Sequence, residues 1–135
     1  MARLRNFHGD CVSSATEEQA ERIREAAQVL SRGHRFHRAC PLSYNFHALE
    51  AMLAFGAFES AALTLVGDDF GFTLSRGSDG ACLATVLLSD GCEEAMAEAS
   101  SPALALLAAH AGALIAECEQ DVGLPQQRVS LGGAA

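Results

Sequence analysis

Tryptophan and lysine are absent from the sequence, and aromatic residues make up only 6% of it. A core without large rings has to be assembled from Leu, Ala and Val. No C-x-x-C pair occurs, so the usual thiolate-rich zinc framework is missing. No uninterrupted apolar run approaches the roughly 18 to 20 residues of a membrane span, and the opening MARLRNFHGD lacks the apolar segment of a signal peptide. Both absences lead us to expect a soluble, cytoplasmic chain without membrane contact. There is no internal repeat, and Gly67, Gly71, Gly77 and Gly80 do not sit between a strand and a helix as a phosphate loop requires.

What is present suits one domain. The chain has 135 residues and a mass of 14.1 kDa, half of it apolar and 19% charged, which is enough apolar content for a core. The net charge of −8 is unevenly distributed. Residues 1–38 carry seven arginines against five acids, a net of +2, whereas residues 39–135 carry a net of −10. An acidic body of that size repels phosphate backbones and argues against general nucleic-acid binding. The N-terminal arginines either pair with acids on helix surfaces or contact an anion. Five widely spaced cysteines, an odd number, indicate reduced thiols rather than a disulfide framework. Cys82 and Cys118 lie in apolar stretches and read as small core residues.

Along the chain, residues 1–15 are expected to be irregular and loosely ordered. Thr16-Glu17-Glu18-Gln19 reads as a capping box opening a helix, with Ala20, Ile23, Ala27 and Leu30 as its apolar stripe and Gly33 as its stop. A second helix is expected from Ser43 to Phe55, ended by Gly56. Residues 59–66 fit either a strand or a short helix. Phe70–Leu74 and Ala81–Leu88, joined by Arg76-Gly77-Ser78-Asp79-Gly80, read as a β-hairpin. On its second strand Cys82, Ala84, Val86 and Leu88 share one face. Residues 92–100 are helical in composition but flanked by breakers. Ser101 as N-cap and Pro102 at the first position open a helix to Glu119, so poor in charge that most of its circumference should be buried. Residues 120–135 read as a frayed tail. Residues 16–119 then form a single α+β domain, a small antiparallel sheet packed against helices.

Two stretches bear a family resemblance. Glu59-Ser60-Ala61-Ala62-Leu63-Thr64-Leu65-Val66 followed by Asp68-Asp69-Phe70-Gly71-Phe72, and Ser101-Pro102-Ala103-Leu104-Ala105-Leu106-Leu107-Ala108-Ala109, resemble the phage ABA sandwich domain over residues 58–116. The family usually has Pro-Glu-Gly-Trp where this chain has Gly67-Asp68-Asp69-Phe70, and residues 1–57 have no counterpart in it. The resemblance implies a small α/β sandwich of viral origin and carries over no catalytic residues. It leads to the expectation of a non-enzymatic phage or prophage accessory protein acting through protein contacts, with the partner and oligomeric state open.

The competing chemistry lies in His34-x-x-His37-x-x-Cys40 with His47 beyond it. Imidazole and thiolate suit zinc, so these four residues are candidate ligands in a chain otherwise expected to need no cofactor. Arg32, Arg35 and Arg38 interleave with them; their charge disfavours a dication, and their three-residue spacing suits an anion or an acidic partner surface instead. Metal analysis separates the two readings. Thiol catalysis by Cys11 or Cys40 with a histidine has no local signature to select it. Asp79 is explained by turn chemistry, and His110, near Leu106 and Leu114, is expected to be a core histidine bonded to a backbone carbonyl.

Overall fold

The computed structural model describes residues 1–32, 46–68, 70–88, 91 and 93–134, with the side chains of residues 31, 32 and 121–134 excepted. The order is α1 (Ala2–Ser13), a 3₁₀ turn (Thr16–Glu18), α2 (Gln19–Arg32), α3 (Phe46–Ala54), α4 (Phe58–Val66), β1 (Phe72–Arg76), β2 (Cys82–Leu87), β3 (Glu94–Ala99) and α5 (Pro102–Ala134). The strands form one antiparallel sheet in the order β1-β2-β3. It packs on α5, which gives the expected α+β arrangement.

The architecture follows from α5. The Ser101 hydroxyl accepts the Leu104 N–H at 3.2 Å, and Pro102 occupies the first helical position, where no N–H partner is needed. Every residue from Ala103 to Ala111 is buried, so the helix is enclosed on all sides. The sheet covers one side, and α1, α2 and α4 cover the rest. By length and composition, Pro102–Gln120 could cross a membrane, with mean hydropathy 1.3, yet 61% of that window is buried inside the protein. The absence of a spanning-length segment holds for uninterrupted runs alone; the polar residues within α5 are too few to lower its mean.

The remaining elements dock on this helix. Residues 1–15, expected to be irregular, form α1 over Ala2–Ser13, because Leu4, Phe7 and Cys11 make a buried stripe at helical spacing. The cap expected at Thr16 falls one residue earlier, at Ala15, and opens the 3₁₀ turn that leads into α2: the Glu18 carboxylate accepts the Ala15 N–H at 2.9 Å, while the Thr16 hydroxyl donates to the Ser100 carbonyl at 3.2 Å. In α2, Ile23, Ala26, Ala27 and Leu30 face the core. α3 ends at Gly56, whose φ of 74° lets Gly56 N–H bond Leu53 O (3.1 Å) and Ala57 N–H bond Met52 O (2.8 Å), a glycine-terminated cap. Residues 59–66 are helical, not extended, and bury Ala61, Ala62, Leu65 and Val66.

The hairpin forms as read, with β1 two residues later than expected. Residues 92–100 contribute a third strand: Ala95, Ala97 and Ala99 face α5, and Glu94, Met96 and Glu98 face outward. Gly91, at φ 71°, makes the turn between β2 and β3. The expected frayed tail is replaced by helix, since the α5 backbone continues to Ala134. Cys82 and Ala84 on β2 lie opposite Ala99 and Ala97, so small side chains meet α5 along much of the sheet.

Candidate functional site

The residues singled out for metal or anion binding are mostly beyond description. His34, Arg35, His37, Arg38 and Cys40 lie outside the described residues, and Arg32 closes α2 with only its backbone described. His47 is exposed in the first turn of α3. Among the described residues, no group of three or more His, Cys, Asp or Glu is placed to hold a metal.

Three of the other N-terminal arginines take part in ion pairs. Arg22 stands 3.1 Å from Glu25, 3.5 Å from Glu21 and 3.6 Å from Asp10, which joins α2 to α1. Arg24 makes a two-pronged contact with Glu50 of α3 at 2.8 and 3.1 Å. That hydrogen bond holds the Glu50 carboxyl below its usual range. Arg5 pairs with Glu119 of α5. The charge asymmetry of the sequence is thus partly used to tie helices together.

Among the described residues, Cys11 and His110 are buried groups whose protonation is shifted by their surroundings. Cys11 is fully buried, and burial pushes its thiol up to about 12, with Arg22 opposing in part. A thiol held protonated is a poor nucleophile. His110 is 2% exposed, and its Nε2 has no hydrogen-bond partner. Burial lowers its imidazole to about 4, so the ring is neutral at pH 7. It lines a crevice between α1, α2 and α5 with Leu4, Phe7, Val29, Leu107 and Leu114, whose free space of about 10 Å³ is about that of one water. His110 is the core histidine the sequence suggests, but the expected partner for its ring is missing at Nε2.

The outer edge of β1 reaches solvent. Leu87 N–H bonds Gly71 O and Gly77 N–H bonds Ala81 O, each at 2.8 Å. In an antiparallel ladder this parity makes Gly71, Thr73, Ser75 and Gly77 the residues bonded to β2, and it turns the N–H and C=O of Phe72, Leu74 and Arg76 outward. All five β1 residues are exposed. Phe72 and Leu74 lie on the α5 side of the sheet, opposite Val86 and Ala84, yet are 40% and 36% exposed because β1 lies at the margin of what α5 covers. Such an edge offers three unpaired backbone donors and acceptors among the described residues, beside two apolar side chains. The sequence shows the hairpin but not its margin, since Phe72 and Leu74 have the alternation of core residues. At the turn, Asp79 Oδ1 accepts the Ala81 N–H at 3.0 Å, as turn chemistry suggests.

Comparison of the chain with models of known families, with curated proteins and with solved structures gave no match.

Proposed function

We propose that this chain is a non-enzymatic phage or prophage accessory protein, cytoplasmic, which acts by contact with another protein through the outer edge of β1. The supporting observation is that edge: outward backbone groups at Phe72, Leu74 and Arg76, with exposed Phe72 and Leu74 beside them. Adding an extended segment to an open edge is a general mode of protein recognition, with affinity from main-chain bonds and selectivity from alternate side chains. The phage assignment rests on the resemblance of residues 58–116, which make up α4, the three strands and the first half of α5.

A photo-crosslinking amino acid at position 74, with a second variant at exposed Val12 as control, tests this reading. We expect a discrete crosslinked protein from position 74 alone, in cells carrying the source phage or prophage. Equal labelling at both positions, or none at 74, overturns it.

A further inference from the structure

We infer that the occupant of the β1 edge is a second copy of this chain, paired antiparallel through β1 about a two-fold axis at Leu74. The inference rests on the reading of that edge as a contact surface and names the partner.

Three observations support it. The first is register. The outward-facing backbone groups belong to Phe72, Leu74 and Arg76, a set symmetric about Leu74. A copy rotated about that point puts Leu74 against Leu74, and Phe72 against Arg76, with every outward N–H and C=O matched. The second is side-chain content. Residues directly opposite in an antiparallel pair share a face, so the half-exposed Phe72 and Leu74 of both copies would meet on the α5 side of a six-stranded sheet. The Arg76 guanidinium would lie over the Phe72 ring of the other copy, a favourable cation–π arrangement. The third is charge. The chain carries −8, so most surfaces of two copies repel, yet residues 70–78 contain one charge, Arg76. The two Arg76 side chains would be about 13 Å apart along the edge, beyond the screening length at physiological salt. Natural edge strands avoid self-pairing with proline, bulges or inward charges; residues 72–76 contain no proline, and their one charge, Arg76, is the residue that pairing about Leu74 sets against Phe72 of the other copy.

Sedimentation equilibrium of the full chain tests this at concentrations up to roughly 200 µM, as a short interface of this kind gives a weak dimer. The mass should rise from 14.1 kDa toward twice that value with concentration. Leu74→Pro removes an N–H that β2 does not use, so it should abolish the rise while leaving the far-UV circular dichroism intact. Should the proline variant fail to fold, Leu74→Glu and Leu74→Lys provide the second arm. Each alone should be monomeric, and an equimolar mixture should recover the dimer mass, since position 74 meets itself across the axis. A wild-type chain that stays monomeric, a dimer that survives Leu74→Pro, or charge variants that do not recover on mixing overturns the inference. A monomeric wild type that still gives a crosslink at 74 to an unrelated protein overturns the dimer alone; no crosslink of either kind overturns the edge as a contact surface as well.

Discussion

The ring of Phe70 meets the imidazole of His110 edge-on, with centroids 5.1 Å apart and planes inclined at 74°. Phe70 leads into the hairpin and His110 sits in the N-terminal third of α5, so this contact joins the sheet to its supporting helix. Both side chains are buried, and His110 Nε2 is left without a partner.

This arrangement makes stability depend on pH in a defined window. The folded imidazole titrates at about 4, below its ordinary 6.5, so the unfolded chain takes up the proton first. The stability tied to neutral His110 is therefore complete above pH 6.5 and is lost as pH falls toward 4. The loss is about 3 kcal/mol across that window. Urea titrations at pH 7 and pH 4.5 should show it, and His110→Leu should remove most of the difference. An unchanged pH dependence in the leucine variant would count against the assignment.

Ser101→Ala should cost about 1 kcal/mol, the ordinary value of an N-cap serine, because the Leu104 N–H loses its side-chain acceptor in a buried setting. Thermal unfolding should shift down by about 4 °C. Ser101→Asp should recover most of that loss.

Gly112→Ala should stabilise the protein. A methyl group built at position 112 has the Ala95 Cβ as its nearest neighbour, at 3.5 Å, and the His8 ring at 3.8 Å, ordinary contact distances. The helix interior then gains alanine's propensity over glycine, about 0.5 to 1 kcal/mol. A drop in melting temperature would mean that α1 and β3 cannot accommodate the methyl group.

Cys11 should resist alkylation in the native protein, being buried with its thiol held protonated. Brief iodoacetamide treatment at pH 7, followed by peptide mapping, should label the half-buried Cys118 well before Cys11. Labelling of Cys11 should appear only in denaturant. Fast native labelling of Cys11 would revive a catalytic role for that thiol.

The sequence was most legible where local chemistry is specific. Ser101-Pro102 marks the start of α5, Gly56 the end of α3, and the Gly77–Ala81 turn the hairpin, because caps and turns are decided by a few adjacent atoms. The β3 strand was harder: Glu, Ala and Met favour helix, and only the alternation of Ala95, Ala97 and Ala99 with Glu94, Met96 and Glu98 indicates a strand. Its pairing to β2 overrode propensity. The α1 helix has no capping side chain and contains Gly9, so its three buried residues signal little until α5 is present to receive them. The edge at β1 was least legible, since exposure of Phe72 and Leu74 depends on how far α5 extends over the sheet. The histidine and arginine cluster of 34–47 was conspicuous in the sequence, but of it only His47 is described in full.

The alanine facing between the sheet and α5 has a consequence for how this protein can vary. Ala84, Ala97 and Ala99 on one side, and Ala105, Ala108 and Ala109 in the opposing helix, are already near the smallest side chain available. Shrinking replacements, the usual source of internal voids, are almost excluded there, and nearly every change is an enlargement that forces two backbones apart. Change at this seam therefore runs in one direction, and each added methyl group has to be absorbed by a shift of the sheet against α5.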